Sequence, residues 1–176
     1  MGESYSSKLV FRSTMHYVSQ GVEAEASYRD ARGWYAFGGV ALARVRIEDE
    51  TMDPPAASRP PNAPAVTAST GVSTPRLLGR VHLSSELTLI GERRTRGAET
   101  SPAWLGWNAA LYAPDVGGFD ITAGVRNLIG IRDLVPAPGD YDRTTDASGT
   151  PVEMPILVSR VPGEGRELYV KIGYSY

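Results

Sequence analysis

The chain has 176 residues, with 18 Lys and Arg against 20 Asp and Glu and a formal charge of −2, a length that fits one domain or part of one large one and a charge that supplies no basic footprint for nucleic acid. The absence of cysteine excludes disulfide scaffolds, thiolate metal sites and cysteine nucleophiles. No run of about 18 apolar residues occurs, which excludes a spanning helix but not a spanning β-barrel, whose alternating strands average to an unremarkable hydropathy.

Nineteen Gly and 13 Pro in short clusters, with no sustained 3.6-residue period, point away from helices. The first predicted strand, residues 18–29, puts Val18, Val22, Ala24, Ala26 and Tyr28 on one parity and Glu23, Glu25, Ser27 and Arg29 on the other. "DARG" turns the chain into a long second strand, "WYAFGGVALARVRIEDE", in which Tyr35, Phe37, Ala41, Ala43, Val45 and Ile47 share a parity. Gly38 and Gly39 there suggest a bend or a close backbone approach. Five prolines make "TMDPPAASRPPNAP" a loop. The third strand, "AVTASTGVS", sets Val66, Ala68 and Val72 against Thr67, Ser69 and Ser73. "TPRLLGR" leads into the fourth, with Val81, Leu83, Leu87 and Leu89 on one side and Arg80, His82, Ser84, Glu86 and Thr88 on the other. After the polar "RRTRGAETSP", the fifth strand carries Leu105, Trp107, Ala109 and Leu111 on one face. "APDVGG" turns it into a sixth, predicted over residues 119–134. A Pro-, Gly- and Asp-rich stretch over 135–165 precedes the seventh, residues 166–176, where Leu168, Val170, Ile172, Tyr174 and Tyr176 share a parity and the last residue is aromatic.

The connections alternate in length. Those at 30–33, 74–79 and 114–118 are short, and those at 52–64, 94–102 and 135–165 are long. In an up-and-down sheet every second connection lies at the same end, so one rim carries tight turns and the other carries loops, as in outer-membrane barrels.

No residue pattern supports catalysis. His16 and His82 lack metal-like spacing, and Glu23 and Glu25, at i and i+2, fit a polar strand face as well as an acid/base pair. Arg93, Arg94 and Arg96 suit a solvated loop start or an anion contact, and Trp34, Trp104 and Trp107 suit wall positions or a stacking platform. Asp140, Tyr141 and Asp142 are the candidate ligand-facing residues, because they sit in the longest loop. No phosphate-binding glycine loop, catalytic triad pattern or metal cluster is seen, so no enzyme, cofactor or metal is expected.

"GVRNLIGIRDLVPAPGDYDR" at 124–143 and "VPGEGRELYVKIGYSY" at 161–176 resemble the closing strands of TonB-dependent outer-membrane receptors. There a "VRNLF"-type segment precedes a loop, a "PxxGR" approach and a terminal strand ending on an aromatic. "QGVEAEASYR" and the "NAP" at 62–64 are similar to a further strand of that family and its lead-in, so the resemblance runs over nearly the whole chain. Ile129 and Gly130 depart from the Phe and acidic residue common after "RNL", and Tyr176 stands where Phe is usual.

The resemblance implies an all-β fold, an antiparallel up-and-down meander of about seven to eight strands forming a partial transmembrane β-barrel wall. Family barrels have about 22 strands, so residues 1–176 would be the C-terminal part, without signal peptide or plug domain. It further implies residence in the outer membrane of a Gram-negative cell, contact with outer-membrane lipid, and recognition of the C-terminal strand by the barrel-assembly machinery through Val170, Ile172, Tyr174 and Tyr176. TonB would act only through the missing plug region. The implied function is uptake of a scarce ligand of the siderophore, cobalamin or glycan class, not performed by this chain alone. Two alternatives remain: a small stand-alone barrel closed by an eighth strand from residues 2–14, and a soluble all-β binding module with a sandwich core.

Overall fold

A computed structural model describes residues 15–49, 56–77, 79–138 and 142–174, which form strands, turns and loops without a helix. The strands are β1 (Met15–Arg29), β2 (Tyr35–Asp49), β3 (Ala56–Ser58), β4 (Val66–Ser73), β5 (His82–Ile90), β6 (Arg93–Arg94) and β7 (Thr100–Ser101). They continue with β8 (Trp104–Ala113), β9 (Phe119–Arg126), β10 (Leu134–Pro136), β11 (Arg143–Thr145), β12 (Pro151–Ile156), β13 (Arg160–Pro162) and β14 (Glu167–Tyr174). One large antiparallel sheet runs β1-β2-β4-β5-β8-β9-β14, with β3 added beside the outer end of β2. These seven strands are those expected from the alternation. Among the described residues β1 pairs only with β2 and β14 only with β9, so the sheet is open and both edges are free.

The short connections are set by local chemistry. Asp30 Oδ1 accepts the amides of Arg32 and Trp34 at 3.0 and 2.8 Å, an Asx turn that Gly33 completes at φ +94°. Asp115, Gly117 and Gly118 all have positive φ, which lets the chain reverse between Val116 and Phe119.

Register, more than composition, decides which side chains share a face. Val22 opposes Leu42, Leu42 opposes Val66, Ala68 opposes Leu89, and Leu89 opposes Leu105. Leu111 opposes Ala123, and Ala123 opposes Val170. One apolar face therefore crosses the sheet from β1 to β14. The other face carries Glu23, Glu25, Ser69, Glu86, Asn108, Thr122 and Lys171. In β2 the parity of Tyr35, Phe37, Ala41, Ala43, Val45 and Ile47 belongs to this polar face, because Ala41 opposes Glu23 and Gly39 opposes Glu25. Val40 and Leu42 supply the apolar side instead.

Large rings on the polar face lie over glycines. A Cβ on Gly71 would strike the Phe37 ring, one on Gly124 the Tyr169 ring, and one on Gly106 the Trp104 ring. Phe37 and Tyr169 sit directly opposite their glycines on the neighbouring strand. The missing side chain leaves room for the ring to lie flat on the sheet.

The sixth strand ends earlier than expected, at Arg126 rather than residue 134. Asn127 adopts φ +50°, the Leu128 amide donates to the Trp107 carbonyl at 2.6 Å, and Asn127 Nδ2 donates to the Ile131 carbonyl at 2.9 Å. These contacts fold "NLIG" into a turn although Ile129 and Ile131 continue the strand's parity. Part of the proline-rich connection is β3, lying between two proline pairs, so that segment is not entirely loop.

No second layer covers the sheet among the described residues. Ala137 is the one buried hydrophobic residue among them, whereas Val22, Leu42, Leu87, Leu111, Leu168 and Ile172 are exposed.

Candidate functional site

Three surfaces could carry function: the apolar face, the polar face and the loop assembly at one rim. On the apolar face the Trp107 indole donates to Ser85 Oγ at 2.8 Å, satisfying its polar atom without leaving the face. Near the short turns, Phe119 and Tyr174 pair at 5.2 Å between centroids, with Tyr28 at the same rim. Trp34 stands there too, because the β1–β2 ladder continues into a bond from the Asp30 amide to the Trp34 carbonyl at 3.1 Å. Aromatic rings at the edge of an apolar band favour a boundary between an apolar and a wet medium.

Val170, Ile172 and Tyr174 share this face at the sheet edge and keep 69%, 64% and 64% of their surface exposed. Tyr176 lies outside the described residues.

On the polar face a concavity of about 300 Å³, open to solvent, is lined by Tyr35, Phe37, Ser84, Glu86, Asn108 and Tyr169. Arg29 stacks over Tyr35 at 5.3 Å and Arg126 over Tyr169 at 5.1 Å. Arg126 also pairs with Glu167 at 2.9 Å, an exposed contact worth little in water. Glu23 and Glu25 lie on this face over Ala41 and Gly39, beside a second trough of about 450 Å³ floored by Thr67, Ser69 and Thr88. His82 Nδ1 lies 3.0 Å from the Thr74 carbonyl, and its ring stacks with Tyr112. His16 sits across from Glu48 near the outer end of β1, far along the ladder from His82.

The long connections meet at the opposite rim from the turns. The Asn62 amide donates to the Arg94 carbonyl at 2.9 Å, joining the first long connection to the second. Among the described residues the second is joined to the third by three ion pairs. Arg93 pairs with Asp133, their side chains only 5% and 14% exposed, Arg96 with Asp142 at 2.6 Å, and Arg160 with Glu99 at 2.8 Å. Ser101 Oγ donates to the Leu134 carbonyl, and the Ala137 amide to the Ser159 carbonyl at 3.0 Å. Within this cap β6 pairs with β7, β10 with β13, and β11 with β12.

Of the candidate ligand-facing residues, Asp140 and Tyr141 lie outside the described residues. Asp142 is engaged: its carboxylate accepts from Arg96 and from the Val158 amide at 3.2 Å. The Arg96 contact first, and the Val158 amide second, hold its pKa below the usual carboxylate range. Asp146 is likewise held low, by Ser148 Oγ and the Thr150 amide, in the turn between β11 and β12. The three candidate arginines separate in role: Arg93 is buried, Arg96 is paired, and Arg94 stays exposed in the β6–β7 hairpin. Trp104 faces the polar side and donates to the Ile131 carbonyl at 2.8 Å, so it braces the cap.

No family model, curated protein or solved structure matches this chain. The sequence alternation marked the faces, but pairings such as Arg93 with Asp133, 40 residues apart, left no local signal.

Proposed function

We propose that this chain is part of the wall of an outer-membrane β-barrel of the TonB-dependent receptor type, with the apolar face toward lipid and the polar face toward the lumen. The observation that carries this reading is the single apolar face, continuous through seven strands of a one-layer sheet. A soluble sandwich would bury that face under a second sheet. The gathering of long connections at one rim and tight turns at the other supports the same reading, with loops outward and turns toward the periplasm. The main-sheet strands β4, β5, β8, β9 and β14, of 8 to 10 residues, suit a tilted crossing.

In lipid each unpaired edge group costs several kcal/mol, so both edges require partner strands and the chain acts within a larger barrel. The activity of that barrel would be uptake of a scarce ligand of the siderophore, cobalamin or glycan class, the wall and loop cap providing the passage and its mouth.

The absence of cysteine makes the test direct. Leu87→Cys and Thr88→Cys variants, each carried within the larger barrel in its own cells and fractionated, are exposed to a membrane-impermeant maleimide. The proposal expects both chains in the outer-membrane fraction, with the thiol at position 88 labelled and the thiol at position 87 protected. Recovery in the soluble fraction, or equal labelling of the two, would refute it.

A further inference from the structure

On β2 the apolar parity passes from Val40 and Leu42 directly to Arg44 and Arg46, both exposed on the same face. Gln20 opposes Arg44 and Val18 opposes Arg46 on β1. Neither guanidinium is engaged by a carboxylate among the described side chains, whereas Arg93, Arg96, Arg126 and Arg160 all are. Among the described side chains the pair is thus a cationic step without a carboxylate partner at the upper limit of an otherwise apolar face.

Their height is informative. Trp34, at the turn rim, and Arg44 lie ten residues apart on one face, roughly 33 Å along a strand. A tilt of about 40° reduces this to roughly 25 Å, the height of the apolar band of outer-membrane barrels. Arg44 then falls at the interface on the long-loop side, and Arg46 about 5 Å beyond it. A guanidinium presents a planar fork of donors that matches phosphate oxygens, and two forks about 7 Å apart can hold one headgroup from two sides.

We infer that Arg44 and Arg46 form a binding site for the phosphate-bearing headgroup of a lipid in the outer leaflet, its acyl chains lying along Leu42 and Val22. The inference rests on the membrane-wall reading and goes beyond it by naming a specific lipid contact. Such a contact would fix the depth of the β1–β2 hairpin, which extends past β4 beyond Leu42.

The test uses the protein in its own cells, grown with ³²P-phosphate and a tritiated fatty acid. A photo-crosslinking residue, benzoylphenylalanine, replaces Gln20 in one chain and Leu87 in another, each with and without Arg44→Gln and Arg46→Gln. The expected result is a doubly labelled adduct at position 20 whose yield falls roughly tenfold when both arginines are replaced. The adduct at position 87 should be unchanged, which also shows that the variant still inserts. A yield at position 20 indifferent to the arginines would overturn the site, and ³²P without tritium there would overturn the lipid in favour of a soluble phosphate compound. Absence of a tritiated adduct at position 87 in the parent chain would instead remove the membrane-wall reading, and the site with it.

Discussion

Gly71 has no room for a side chain, and this makes it a sharp probe of how the polar face is packed. A Cβ there would come within 2.7 Å of Phe37 Cζ and 3.2 Å of the Ser85 carbonyl oxygen. The carbonyl belongs to the sheet and cannot retreat far, so the ring must lift. Gly71→Ala should therefore cost about 1–3 kcal/mol through overpacking, partly offset by about 0.4–1 kcal/mol from a stiffer unfolded chain. A net loss of about 1–2 kcal/mol is expected in guanidinium unfolding followed by tryptophan fluorescence. Replacing Phe37 by Leu removes the obstructing ring, so Gly71→Ala in that background should cost less by about 1 kcal/mol or more, the coupling expected of touching residues. Equal costs in the two backgrounds would refute the flat placement of Phe37 over Gly71.

Three further outcomes follow from other parts of the molecule. In the membrane-inserted protein Leu87→Arg should destabilise by about 2–4 kcal/mol if it lies near the midplane and Thr88→Arg much less, measured by urea unfolding in lipid vesicles; equal tolerance would reverse the two faces. Asp133→Asn should weaken the loop cap by about 3–5 kcal/mol, since it leaves Arg93 buried and unpaired, whereas Arg93→Met with Asp133→Leu should cost far less; amide exchange at Ala137, which donates to Ser159, reads both. The Asp142 carboxyl titrates below its ordinary value in the folded chain, so its tie to Arg96 and Val158 is whole above the ordinary carboxylate pKa and is lost as pH falls through the folded one. Proteolysis within 143–157 should quicken in that acid window, and Asp142→Asn should show the acid rate at neutral pH.

The strands were legible because period-two alternation needs only one polar face to be recognised, and β5 shows it with Leu83, Leu87 and Leu89 against His82, Glu86 and Thr88. In β2 it failed to assign a side. Both parities there are apolar, Tyr35 and Phe37 on one and Val40 and Leu42 on the other, and only pairing with β1 separates them. The end of β9 was hidden for a related reason: Ile129 and Ile131 keep the beat, while the break comes from the left-handed backbone of Asn127. Strands of two or three residues, such as β6 and β10, are too short to show a period. The "DASGT" turn between β11 and β12 did carry a readable signal, Asp and Gly between β-branched residues. As for the candidate site, the sequence indicated the longest loop, but Asp142's engagement by Arg96 depends on a partner 46 residues away.

Because Ala137 is the one buried hydrophobic residue among those described, zipping the backbone ladder removes only part of the apolar surface from water, and the rest is left for a separate event. In a globular domain both occur in the same step, and the heat capacity falls as the core forms. Here strand pairing alone covers only part of the apolar surface, Leu87 keeping 38% of its area exposed and Ile172 64%, so a further drop should accompany whatever medium covers Leu42, Leu87, Leu111 and Ile172. Calorimetry of this protein would then report on its surroundings as well as on its fold, and the same ladder would have different melting behaviour beside lipid, detergent or another protein surface.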